Sequence, residues 1–137
     1  MSHFLLGTVL IVTLSAGVVQ AAIPAFEPGR WQITIVDFAD RTSVIQECIK
    51  TSEWVWWIAL AGKITNEETC MPPISMFIEN RVNVSQACQS VSAEMEIFPA
   101  GADRLSGNLV TLTVTPYGMA IPFHSKFEAQ RLSADCP

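Results

Sequence analysis

"NLVTLTVTPYGMAIPFHSKFEA", Asn108 to Ala129, decides the fold. In its first arm Val110, Leu112 and Val114 fall on one face, and Thr111, Thr113 and Thr115 on the other. That period of two is the signature of a strand, and β-branched side chains suit a pleated surface. Pro116-Tyr117-Gly118 reads as a turn. Met119, Ile121, Phe123, Ser125, Phe127 and Ala129 alternate in the returning arm. Pro122, which lacks an N–H, predicts an edge position or a bulge there.

The same pattern extends outward. Val91, Ala93, Met95 and Ile97 alternate with Ser92, Glu94 and Glu96, and Val82 and Val84 alternate with polar neighbours. "PAGADR", Pro99 to Arg104, reads as a loop. Near the start, Trp31, Ile33 and Ile35 oppose Gln32, Thr34 and Val36. Pro28-Gly29 marks an entry turn before them. "ADRT" then turns the chain, and "SVIQECIK", Ser43 to Lys50, returns as a strand. Strands joined by short turns predict an antiparallel sheet.

"TSEWVWWIALAG", Thr51 to Gly62, breaks the alternation. Ser52 can cap a helix, Glu53 suits its first turn and Gly62 its end, which predicts a short helix over 53–61. Trp54, Trp57, Ile58 and Ala61 share one stripe of that helix and are expected to pack on the sheet. Trp56 and Leu60 fall on the other side. An exposed Trp56 beside Leu60 is a candidate contact for a partner, a lipid surface or an apolar ligand. "ITNEETCMPPI", Ile64 to Ile74, is a polar connector in which Pro72 and Pro73 bar further helix. The expected fold is mainly β, a β-rich α+β domain. It is a curved antiparallel sheet or partial barrel with one short helix packed on it and two disulfides.

The chain divides into two parts. "FLLGTVLIVTLSAGVV" is an apolar run followed by Val19 and Ala21, small residues at the −3 and −1 positions of a signal-peptidase site. Residues 1–21 are expected to be a secretory signal cleaved after Ala21, and 22–137 a single β-rich domain. A retained anchor is the rival, because the run is nearly long enough to span. After cleavage no stable membrane span is expected: the tryptophan segment, bounded by Glu53 and Lys63, is far short of ~20 apolar residues. The expected location is periplasmic or secreted.

Four cysteines, Cys48, Cys70, Cys88 and Cys136, form an even set in a short exported chain, which predicts two disulfides. Three connectivities are open. Cys70–Cys88 with Cys48–Cys136 is favoured: the first pair brackets a strand–turn–strand, and the second ties the chain end to the early strands. Zinc is disfavoured, with no Cys-x-x-Cys pair and only His124 after the signal.

The formal net charge of −5 excludes a generic nucleic-acid surface, which needs clustered Lys and Arg. Catalytic motifs are also missing: no Gly-x-Ser-x-Gly elbow, His-x-x-x-His pair or phosphate-binding glycine loop occurs. His124 is expected on a strand face with Pro122 and Lys126, as a surface histidine. Asp37 with Asp40, and Glu67 with Glu68, are paired acids in turns and loops, where solvated carboxylates are the rule rather than acid–base or calcium sites. No catalytic residue, metal ligand or cofactor is assigned. Asn83-Val84-Ser85 matches a glycosylation sequon.

"EPGRWQITI" resembles the Pro-Gly-x-Trp opening of the DUF3617 family of small exported bacterial proteins. "CIKTSEW" is similar to that family's Cys-x-x-Thr-Pro-Glu helix start, with Ser52 where Pro is usual. Cys70, Cys88 and the terminal "RLSADC" complete a four-cysteine layout of the same order, and "LSGNLVTLTV" is similar to its Gly-x-(Val/Leu) strand. Departures are the missing Pro after Thr51, the tryptophan cluster, and Ala134-Asp135 where Gly-Asp is more usual. The resemblance implies an exported, β-rich, disulfide-bonded fold and carries no active site. The expected function is a non-enzymatic exported domain binding an envelope protein or a small apolar ligand. The alternative is a hydrolase inhibitor or envelope-stress protein, which requires a protruding loop, "PAGADR" or "TPYG".

Overall fold

The computed structural model describes Gly17 and residues 24–61 and 69–137. The proposed signal and its cleavage site, the Gly62 helix end and the Glu67-Glu68 pair lie outside the described residues, apart from Gly17.

Seven strands form one open, curved antiparallel sheet: β1 (Gly29–Val36), β2 (Thr42–Ile49), β3 (Ile74–Ile78), β4 (Arg81–Ala87), β5 (Val91–Pro99), β6 (Arg104–Val114) and β7 (Ala120–Ser133). Their spatial order is β2-β1-β7-β6-β5-β4-β3. From β3 onward the chain is a meander of hairpins, and β1 closes onto β7 (Ile33 opposite Ala129). β2 and β3 are consecutive in the chain yet lie on opposite edges. The connection between them must therefore cross the sheet, and the helix 54–61 lies on that crossing.

Alternation selects one face of the sheet as the core face. Trp31 and Ile33 of β1, Val82 and Val84 of β4, Ala93, Met95 and Ile97 of β5, and Phe127 and Ala129 of β7 are all buried on it. On β6 the core face belongs to Leu105 and Leu109, with Gly107 between them. Val110, Leu112 and Val114 do share a face, as their spacing predicts, but it is the outer one. Gly107 explains the local fit: a Cβ there would collide with the Glu96 carbonyl and the Phe127 ring opposite. Gly29 (φ 147°) plays a matching part at the other end of the core, where a Cβ would collide with the Ser133 carbonyl.

The helix is of the 3₁₀ type, Trp54–Ala61. Thr51, rather than Ser52, supplies the hydroxyl at its start, accepting from Glu53 N at 3.1 Å, and Trp56 N donates to Glu53 O at 3.1 Å. Trp54, Trp57 and Ile58 are buried against β3, β4, β5 and β6, as the stripe predicts.

Pro122 lies in β7, an interior strand, but β1 pairs with β7 only as far as Val36 opposite Lys126. Pro122 is beyond that point, so its β1-facing side is locally an edge, and no ladder bond is lost there. A register shift between Arg30 and Trp31 opposite β7 bulges the other end of this pair. Arg131, at the bulge, donates from Nε to Pro28 O at 2.9 Å and pairs with Glu27 at 3.1 Å.

The disulfides join Cys48 to Cys136 and Cys70 to Cys88. The first ties edge strand β2 to the chain end; the second closes an isolated bridge beyond the β3–β4 hairpin. Among the described residues, no helix is long and apolar enough to cross a membrane.

Candidate functional site: a tryptophan cluster under the crossing segment

Six aromatic rings meet where the helix crosses the sheet. Trp57 lies edge-on to Trp31 (centroids 5.4 Å apart), to Phe26 (5.5 Å) and to Trp56 (5.2 Å), and stacks on Phe127 at 6.2 Å. Phe26 also contacts Trp54 at 4.8 Å and Trp31 at 6.2 Å. Phe26 had no role in the sequence reading. The available signal was an apolar residue held between Pro24 and Pro28, in a segment that must cover the strand it leads into.

The indole N–H groups of this cluster differ. Trp31 Nε1 donates to Glu27 O at 3.0 Å, and Trp54 Nε1 donates to Pro24 O at 3.1 Å. Both bonds clamp the entering chain over the core. Trp57 Nε1 is fully buried and has no acceptor among the described residues. A buried donor left unpaired costs on the order of 1–3 kcal/mol, whereas an indole N–H in a core ordinarily finds a partner.

Trp56 and Leu60 are half-buried and pack against the core cluster, neither free of the protein surface nor sealed within it. Trp56 is the ring of this segment that reaches solvent while lying edge-on against Trp57. The helix thus presents one partly exposed tryptophan above one fully buried tryptophan with a spare donor.

The other candidates gather elsewhere. Asp37, Asp40 and His124 line one depression of about 430 Å³ with Phe38, Asn108 and Lys126. Asp37 is held by its own turn. Asp37 Oδ1 accepts from Ala39 N at 2.8 Å and Arg41 N at 3.0 Å, and its Oδ2 accepts from Arg41 Nε at 2.8 Å. These bonds, the Arg41 amide first, hold the Asp37 carboxyl below the usual aspartate range, as a turn clasp does. His124 is exposed on the outer face opposite Val110, sharing that face with Pro122 and Lys126. No group of three or more His, Cys, Asp or Glu side chains capable of holding a metal occurs among the described residues. Asn83 sits mid-strand in β4, paired to Met76 on one side and Glu96 on the other, a poor acceptor geometry for a glycan.

No family model matches the chain, and the comparison with curated proteins gives no match. Among solved structures, an S-type phycobiliprotein lyase from Guillardia theta is similar over 79% of this chain and 89% of its own. The identity is 10% and the TM-score 0.45.

Proposed function

We propose that this chain is an exported, non-enzymatic binding domain whose helix-covered sheet face takes a small apolar ligand bearing one hydrogen-bond acceptor. The observation that carries the reading is the fully buried Trp57 N–H, without an acceptor among the described residues, beside two tryptophans whose N–H groups are paired. A carbonyl, carboxyl or hydroxyl oxygen on an acyl or ring body matches that donor, and half-exposed Trp56 and Leu60 match the apolar body. Export to the periplasm or beyond is supported by two disulfides that use every cysteine in the chain. Membership of the DUF3617 family is part of the same proposal and rests on the Pro-Gly-x-Trp opening and the cysteine order.

Titration with dodecanoate, read by intrinsic tryptophan fluorescence, tests it. A saturable shift is expected, and Trp57→Phe, which keeps an aromatic ring there but removes the donor, should weaken binding about fivefold, the worth of one neutral hydrogen bond. Trp56→Ala should weaken it further. Absence of a saturable shift in the wild-type chain overturns the reading, and an unchanged affinity in Trp57→Phe removes the donor from it.

A further inference from the structure

We propose that the distal end of the β6–β7 hairpin is a membrane-contact tip that seats in the interfacial layer of a lipid surface. This rests on observations separate from the tryptophan cluster. Between Arg104 and Lys126 the chain carries no Asp, Glu, Lys or Arg, although 15% of all its residues are charged. The hairpin end carries no carboxylate, ammonium or guanidinium on either face: Ile121 and Phe123 lie with Thr111 and Thr113 on one, and Val110, Leu112, Val114, Ala120 and Pro122 lie with His124 on the other. A strand pair in an ordinary sheet is apolar only toward its core.

The tip is also exposed and ordered. Tyr117 is 92% exposed, Met119 63%, and Phe38 of the neighbouring β1–β2 turn 60%, with its ring 5.0 Å from that of Phe123. Gly118 N donates to Thr115 O at 2.9 Å, Thr115 N to Met119 O at 2.8 Å, and Met119 N to Thr115 Oγ1 at 3.1 Å. A Cβ built at Gly118 meets nothing within 4 Å, so this hydrogen-bonded turn stands clear of the other described residues.

Charge and exposure select the occupant. An exposed, uncharged turn carrying Tyr and Met matches the boundary between headgroups and acyl chains, where an amphipathic ring sits with its hydroxyl in water. At the hairpin base Lys126 and Arg41 are balanced by Asp37 and Asp40. Contact is therefore expected with zwitterionic lipid and with little dependence on salt.

Cosedimentation of the disulfide-bonded chain with phosphatidylcholine vesicles tests the tip. The wild-type chain should partition onto them, equally well at high salt. Tyr117→Asp with Met119→Asp should reduce partitioning about tenfold or more, because charge is carried into the acyl boundary. Met76→Asp, at an exposed apolar site on edge strand β3, should leave it unchanged. All three chains should keep the same tryptophan emission, which reports an intact core. Absence of wild-type partitioning, or equal loss in Met76→Asp, overturns the proposal. So does a wild-type dimer that the tip variant converts to monomer, which assigns the surface to a second copy. Inhibition of a lysozyme-type hydrolase that the tip variant abolishes would assign it to a protein partner and overturn the proposal as well.

Discussion

Two residues show how tightly single side chains are specified. Gly107 lies where β6 passes between the Glu96 carbonyl and the Phe127 ring. Gly107→Ala forces one of them to move, and because one is a backbone atom of β5 and the other a buried core ring the expected cost is about 1–3 kcal/mol, read as a lowered urea midpoint. Asp37 makes a softer, pH-dependent contribution. Its carboxyl is held below the ordinary range by the Arg41 and Ala39 amides and the Arg41 side chain, so the folded form binds its proton less readily than the unfolded. The stabilisation is complete above the ordinary aspartate pKa and is lost as pH falls through the lower folded value. In a pH titration followed by NMR, the Ala39 and Arg41 amide shifts should move only in that acid range. Asp37→Asn should abolish the transition while leaving neutral-pH folding intact. Neither residue's role was legible in advance. Asp37 reads only as a solvated turn acid until its amide partners are known, and Gly107 reads only as a small residue in a strand.

At the scale of elements, alternation was informative where a strand has one buried and one solvated face. β1 and β5 follow it residue for residue, with Trp31, Ile33, Ala93, Met95 and Ile97 inside. β6 departs from it because its outer face, Val110 to Val114, is more apolar than the inner face of Leu105, Gly107 and Leu109. Periodicity reports that a strand is two-faced but not which face meets the core. The helix was legible in position and stripe; its 3₁₀ winding was not, since the buried set Trp54, Trp57 and Ile58 suits either winding. Trp54 is the best test of how far the helix holds the entering chain. Trp54→Ala removes a buried ring, its contact with Phe26 and its bond to Pro24 O, with an expected cost of about 3–5 kcal/mol in equilibrium unfolding. Trp56→Ala, from a half-buried position, should cost clearly less. The partial exposure of Trp56 depends on how the crossing segment sits over the sheet, which no local pattern encodes.

For the whole molecule, the fold class and the even cysteine set were readable from composition and spacing, whereas the strand order was not. An arrangement that brings the first hairpin against the last strand depends on contacts more than ninety residues apart, such as Ile33 opposite Ala129. The disulfides act at this scale and should act unequally. Cys48–Cys136 spans 88 residues and Cys70–Cys88 spans 18, so chain-entropy arguments give about 4–5 and about 3 kcal/mol respectively. The double variant Cys48→Ser with Cys136→Ser should therefore lose more stability than Cys70→Ser with Cys88→Ser, measured side by side in urea.

The bonds have a second bearing on how copies of the chain behave together. An open sheet ends in two strands whose outward backbone groups are unpaired, the usual starting point for polymerisation. Here β2 contains Cys48, and β3 follows Cys70 by four residues, with Ile74, Met76 and Phe77 exposed and no charged side chain to repel a neighbour. Each crosslink thus fastens one rim of the sheet to its own chain. Reduction should free both rims at once, so that light scattering grows with concentration before tryptophan emission reports any loss of the core.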